Sequence, residues 1–503
     1  MKKSRCPSDP PLSFPQAEAA ARLGRILQDT GYSGPQILQA LGINDFRALR
    51  LIPPPVLAAR VEGDRPLDLF IRLFLLEEPV KRNELKRAIP ASVAKELLSS
   101  GLIRASGDSL RASLKLRPHK DSILAHDAAD RLLSANRDSF VMGVGESSLT
   151  LLNATIRRRS RKTLDLGTGC GIQAVEAAAH SERVLALDVN PRAVRFAAFN
   201  AALNGLANVE TVEGSLFHPV EGNLFDLIVS NPPFVISPEK GYIYRDAGMD
   251  ADRVCETIVR QAPNHLYEGG YCQILCNWVE RFGEDWKERL ASWCAGSGCD
   301  VLVMLLERQD AEAYAALWIG HTEKAEAERF GTKYGEWLRY YRERGIRSIG
   351  SGLITMRRSS GSRNWFRAND TPAVVRGPRC GRVIQQTFKA IDFLEATADD
   401  RTVFGLPFLV SQEVRIRQDL QHSPRGWKSV AQVLFMDGGI AVSERISPFT
   451  VEFLAGCDGR RTLREAFAKA ACDAGIDPAI IPLPFRREVR RLIECGYLAL
   501  PSA

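Results

Sequence analysis

The sequence predicts an α/β protein whose core is an open, mostly parallel sheet with helices on both faces. Three observations carry this expectation. Strands and helices alternate from Arg161 to about Met356, a glycine-rich turn from Leu164 to Gly171 joins a buried strand to a helix, and an acid, Asp188, ends the strand that follows. Alternation of this kind places a parallel sheet between two helical layers.

The elements follow in order. Thr163 to Gly167 reads as a strand, Ile172 to His180 as a helix and Arg183 to Val189 as a strand. Pro191 to Asn204 is a helix with proline in its first turn. Val209 to Glu213 and Asp226 to Ser230 are strands, Asp252 to Leu266 a helix and Tyr271 to Asn277 a strand. Residues 320–348 read as a polar helical insert carrying Tyr334, Trp337, Tyr340 and Tyr341, and Gly350 to Met356 as a late strand.

Units of another kind flank this core. Residues 1–14 form a loose tail, and Pro15 to about Ala58 is helical. Helices at Leu67 to Leu76, Arg82 to Ile89 and Ala91 to Ser100 precede two strands around a Ser-Gly-Asp turn at Ser106 to Asp108, an order similar to a winged helix. The third of these helices carries only Lys95 as a base, which favours docking or substrate positioning over DNA reading. From about Gly381 a last unit ends in a helical stretch, Ile446 to Leu500. It resembles the winged-helix-like, peptide-binding modules that accompany some modifying enzymes. The expected units are residues 1–130, 131–375 and 376–503, in keeping with a prior of roughly 150 residues per domain.

With 45% hydrophobic and 25% charged residues, the 503-residue chain has an ordinary globular balance. Its net charge of +7 permits an anionic partner without requiring one. The amino terminus has two lysines but no apolar core, unlike a signal peptide. No run of about 18 apolar residues is present. The 11 cysteines show no paired zinc knuckles and read as free packing thiols in a reducing cytoplasm, with no metal expected.

The turn LDLGTGCG, Leu164 to Gly171, opens a helix after a strand. Gly167, Gly169 and Gly171 let the backbone approach a ligand beyond the carboxyl end of that strand. Asp188 can accept both hydroxyl protons of a ribose. The dinucleotide pattern G-x-G-x-x-G fails, because Ile172 stands at the third glycine. Further on, Asn231-Pro232-Pro233-Phe234 ends a strand at the same edge. An amide or aromatic amine is a poor nucleophile because its lone pair is delocalised. The Asn231 side-chain oxygen can accept one N–H of such a group and the Pro232 carbonyl the other, stabilising the charge that develops on nitrogen. Phe234 can stack on the planar group, and the prolines hold the backbone.

Together these segments resemble the class I S-adenosylmethionine-dependent methyltransferases, Rossmann-like in fold, over about Thr163 to Val279. The resemblance implies a seven-stranded sheet and S-adenosylmethionine bound by Asp165, Gly167, Thr168, Gly169, Gly171, Asp188, Ser215, Leu216 and Asn231. In that family Asp165 would orient the loop or meet the cofactor's amino end. An acid commonly stands where this chain has Ser215, and the Leu216–Phe217 pair would flank the adenine. Two branches share the Asn-Pro-Pro-Phe motif. One methylates the glutamine amide of peptide-chain release factors and the other the exocyclic amine of adenine in nucleic acid. YRDAGMDADR, Tyr244 to Arg253, leans to the glutamine branch, whereas the extra units lean to RNA. A translation factor or an RNA is the expected partner, and a non-catalytic cofactor-binding scaffold is the reading from another class.

Two basic runs are ambiguous. Arg157 to Lys162 precedes the first strand, at the edge away from the candidate site, and reads as solvated surface. Arg357 to Arg367, with Trp365 and Phe366, suits either single-stranded nucleic acid or an interdomain linker. Glu146 suits either closure over the cofactor or a helix cap.

Overall fold

The computed structural model describes residues 14–128, 131, 137–239, 249–322, 327–361, 364–370, 372–375, 377–424, 426–436, 440–441 and 444–501. Nearly all of the tail, the start of the acid-rich turn at Tyr244 to Gly248, and Ser362 and Arg363 lie outside them.

The core sheet contains β1 (Ser160–Leu166), β2 (Ser181–Asp188), β3 (Val209–Glu213), β4 (Phe225–Ser230), β5 (Leu266–Arg281), β6 (Cys299–Asp310), β7 (Ile346–Arg358) and β8 (Phe366–Asn369). Their order is β3-β2-β1-β4-β5-β7-β6-β8. β7 runs antiparallel to both neighbours, and every other junction is parallel. The central strands are buried on both faces, which is why they read as continuous apolar runs.

Eight strands replace the seven expected. The eighth comes from the stretch read as a basic loop, and its side chains explain the difference. Arg357 is already in β7, bridging Asp300 at 2.5 Å and Asp392 at 2.6 Å. Trp365 is buried with its ring 4.8 Å from that of Phe388, and Arg367 pairs with Glu395 and Glu494. Among the described residues of this stretch, Arg357, Trp365 and Arg367 are thus engaged in ion pairs and packing. In the basic run Arg157 to Lys162, whose last three residues belong to β1, Arg161 meets Asp226 and Lys162 donates to Asn223, while the side chains of Arg159 and Arg161 stay exposed.

Before β1 comes α1 (Glu146–Ala154). α2 (Ile172–Ala177) and α3 (Pro191–Leu203) follow β1 and β2. The Asn190 side chain accepts from the Arg192 N–H and caps α3. α4 (Arg253–Gln261) precedes β5, and α5 (Trp286–Cys294) packs with it. The insert is α6 (Ala311–Thr322) and α7 (Ala327–Glu343), beginning at Ala311 rather than at residue 320. It is not simply polar: Tyr314, Trp337 and Tyr341 are buried in a small core of their own.

In the amino-terminal unit, Pro66–Phe70 continues as a π-helical turn, Ile71–Leu75, before helices Arg82–Ala88 and Ala91–Ser99. A three-stranded sheet is formed by Val80–Lys81, Ser109–Ala112 and Ile103–Ser106. A hairpin, Leu114–His119 with Ser122–Asp127, then lies against α3. Asn200 on α3 pairs its amide with both backbone groups of Ala125, at 2.7 and 2.9 Å. Asn204, one turn on, does the same with Ile123 at 2.8 Å each way. After β8, α8 (Cys380–Ala396) lies against the core, with Gly381 so near the end of α1 that a Cβ would stand 1.9 Å from the Thr155 carbonyl oxygen. The remaining carboxyl-terminal helices share one apolar cluster with this face of the sheet.

Among the described residues eight cysteines are buried; Cys495 is half-buried and Cys472 exposed, so Cys472 is not a packing thiol. No described helix is long and apolar enough to cross a membrane.

Candidate functional site

β1 and β4 run side by side with Leu166 opposite Ser230, so the turns leaving their carboxyl ends start together. The turn after β1 holds Gly167 and Gly171 at φ 76° and 82°, in the left-handed region. At Gly171 space is also short: a Cβ would stand 3.0 Å from Ala197 Cα on α3. Asp165, buried just inside β1, holds the turn from below. Its Oδ2 accepts from the Thr168 hydroxyl at 2.5 Å and the Ala174 N–H at 3.0 Å. Its Oδ1 is buried and has no hydrogen-bond partner. Burial pushes the Asp165 carboxyl up to about 7, against the pull of those two hydrogen bonds.

Asp188 ends β2 facing the same turn. Its Oδ2 accepts from the Gly169 N–H at 2.9 Å and its Oδ1 from the Asn190 N–H at 2.8 Å. A carboxylate offers about four acceptor directions, and the Val189 N–H takes up part of what remains, leaving room for a hydroxyl donor. Burial raises this carboxyl as well. The Gly214 N–H donates to the Asp188 carbonyl at 2.9 Å, bringing the turn after β3 to this edge. Ser215 there is exposed, and Leu216 is held at φ 51°, rare for a branched residue. Phe217 does not join Leu216 at the surface. It is buried and stacked on His265, ring centroids 4.6 Å apart, because the β3–β4 connection needs an apolar anchor.

After β4, Asn231 points its Nδ2 at the hydroxyls of Ser147 and Ser148, 3.3 and 3.5 Å away. Its Oδ1 is buried and unpartnered. Pro232 is buried, with Pro233 and Phe234 half-buried behind it, and Phe234 touches three apolar clusters at once. The two serines were not anticipated. They stand in the first turn of α1, tied to the glycine turn by Gln173, which donates to the Ser148 carbonyl at 2.9 Å. Their signal is a small hydroxyl pair after a glycine, too common to stand out. Glu146 is exposed in the same turn, and the cap position belongs to Gly145.

Asp165, Gly167, Thr168, Gly169, Gly171, Asp188 and Asn231 are therefore gathered at one sheet edge, with Ser215 and Leu216 on the neighbouring turn. Bare glycine backbone, the Asp188 carboxylate at the strand end and an orphaned Asp165 oxygen fit a ligand with a ribose and a cationic amino group. Among the described residues no three His, Cys, Asp or Glu side chains cluster as metal ligands would.

Residues 142–284 match the family model of the methyltransferase small domain, and residues 29–113 match a domain of unknown function (DUF7059). A Methanocaldococcus jannaschii protein provisionally named a protein N5-glutamine methyltransferase is 32% identical over 137 residues, 26% of this chain and 68% of that one. The chain belongs to the class I S-adenosylmethionine-dependent methyltransferases. This methyltransferase is also similar to the release factor glutamine methyltransferase of Xylella fastidiosa, 33% identical over 148 residues, 26% of this chain and 53% of that protein. It resembles the ribosomal RNA small subunit methyltransferase C of Salmonella newport as well, 34% identical over 137 residues, 27% of this chain and 36% of that one. The methyltransferase thus spans about half or less of the length of the last two relatives.

Proposed function

We propose that this methyltransferase transfers the methyl group to a planar NH₂, and that its acceptor is the side-chain amide of a glutamine in a protein of the translation apparatus. The observation that carries the reading is Asn231 Oδ1, a buried acceptor without a donor, at the carboxyl end of β4 beside the glycine turn. A buried unpaired acceptor costs about 1–3 kcal/mol, a cost an acceptor N–H would relieve.

S-adenosylmethionine, when bound, supplies an electrophilic methyl on a sulfonium. Gly167, Gly169 and Gly171 leave room for it, Asp188 takes the ribose hydroxyls, and Asp165 with Thr168 holds the turn and offers an acceptor to the amino end. Ser215 and Leu216 border the adenine. Asn231 Oδ1 and the Pro232 carbonyl each accept one N–H of the target, which aligns the nitrogen lone pair and takes up the positive charge it gains. Phe234 covers the planar face and Pro233 stiffens the turn.

The relatives named for glutamine methylation support the protein acceptor. The ribosomal RNA relative supports a base amine in RNA as the second reading. We also propose that residues 1–130 and 376–503, both winged-helix-like in element order, present the macromolecule to residues 131–375, and that the enzyme works in the cytoplasm.

Tritiated S-adenosylmethionine incubated with the enzyme and cell extract tests the acceptor. Label in protein that resists ribonuclease is expected, and label released by ribonuclease would replace the glutamine reading with the RNA one. Cofactor binding without label in any fraction would leave only the scaffold.

A further inference from the structure

Val235 and Ile236, just beyond Phe234, lie in neither strand nor helix, yet both are buried. Their packing partners are the insert's Tyr314, Ala315, Ile319, Trp337 and Tyr341. Hydrogen bonding is more specific still. The Ile236 N–H donates to the Tyr314 hydroxyl oxygen at 3.2 Å, and the Tyr341 hydroxyl donates to the Ile236 carbonyl at 2.8 Å. Both backbone groups of one residue are thus served by phenols of two different helices. The Tyr314 oxygen is itself fixed, since Asn277 on β5 donates to it at 2.8 Å.

The insert grips further along as well. Trp337 donates to Glu239 at 3.2 Å, and Lys333 lies 3.3 Å from the same carboxylate. Tyr340 accepts from the Ala251 N–H and donates to Asp250, both at 3.0 Å. Because β6 ends where β5 ends, α6 and α7 stand on the same sheet edge as Asn231.

Resting on the acceptor reading of Asn231 to Phe234, we propose that Tyr314 and Tyr341 are positioning residues for methyl transfer: they fix the backbone of Ile236 and so set where Phe234 and the Pro232 carbonyl meet the acceptor. Buried backbone groups need partners, and an irregular turn has none of its own to offer. A misplacement of about 1 Å at a reacting group costs on the order of 100-fold in rate, so two phenols can govern turnover without touching substrate. The cofactor turn is held by residues of its own, Asp165 and Asp188, while Gln173, through Ser148, links the helix after it to Asn231.

The test compares Tyr314→Phe, Tyr341→Phe and the double variant with the parent. The measurements are S-adenosylmethionine affinity by calorimetry, amide exchange over residues 231–237, and kcat and KM for transfer into the labelled fraction. Cofactor affinity is expected to stay within about twofold, exchange at Ile236 to quicken, and kcat to fall by at least about tenfold. Unchanged kcat in a folded Tyr314→Phe protein, or a loss confined to cofactor affinity, overturns the proposal. If the double variant fails to fold, the single variants decide. A parent that binds cofactor and labels nothing refutes the acceptor reading instead, a distinct result.

Discussion

Gly167 and Pro232 face one another where β1 and β4 release their turns: a Cβ on Gly167 would stand 3.9 Å from Pro232 Cα. The cofactor turn and the acceptor turn thus leave adjacent strands side by side. At this position space is ordinary, and the conformation, φ 76°, is what demands glycine. Gly167→Ala should therefore fold and lose about 1–2 kcal/mol of stability, the cost of a left-handed residue with a Cβ. Denaturant unfolding checks this, and an unchanged midpoint would show that the turn relaxes freely.

Asn231 and Asp188 should separate cleanly by kinetics. Asn231→Ala removes the orphaned acceptor and should lower kcat by about 100-fold or more, with cofactor affinity near normal. Asp188→Ala removes the partner of the Gly169 and Asn190 N–H groups and should weaken cofactor binding by about 10-fold or more through lost charge-assisted hydrogen bonds. Calorimetry and initial rates on both variants would reveal a mistaken assignment if the two effects were exchanged.

Asp165 makes stability depend on pH. Its folded-state carboxyl is raised to about 7 from 3.8. The folded state therefore holds a proton that the unfolded chain releases at lower pH. Its contribution is present below about pH 4 and is lost as pH rises through 7, so cofactor-free enzyme should lose stability over that window. Asp165→Asn should flatten the slope, as thermal melts at several pH values would register. A cationic ligand beside Oδ1 favours the ionised form, so cofactor binding should tighten toward pH 7 and release protons below it.

Asn200→Ala should loosen the amino-terminal unit. Besides Ala125, the Asn200 amide donates to the Cys170 carbonyl at 2.7 Å, so three backbone groups lose a partner at once. A cost of roughly 3 kcal/mol follows from buried groups left unsatisfied. Limited proteolysis within residues 14–128 should quicken, and an unchanged digestion pattern would count against the docking role.

The features that were readable in the sequence are local. The glycine turn, Asp188 and Asn231 to Phe234 are each a few consecutive residues whose types state their chemistry, and strand–helix alternation is a short-range rhythm. Features depending on distant partners were not readable. Arg357 and Trp365 suited a nucleic-acid loop and a linker equally until Asp300 and Asp392 came beside the one and Phe388 of α8 beside the other. Tyr314 lay outside the expected insert, and its role depends on Ile236, 78 residues away in sequence. Ser147 and Ser148 gain meaning only from Asn231, more than 80 positions later.

The two asparagines of α3 have a consequence for how the molecule behaves in company. Strand Ser122–Asp127 pairs with Leu114–His119 on one side and would otherwise present an open row of donors and acceptors on the other. Such a row invites a strand from another molecule. Asn200 and Asn204, one helical turn apart, supply side-chain amides that imitate peptide groups opposite Ala125 and Ile123. The helix thereby seals the hairpin as a neighbouring strand would, without offering an edge of its own. Replacing both asparagines would expose this row to self-association, so crowded chains would be the first to show the loss.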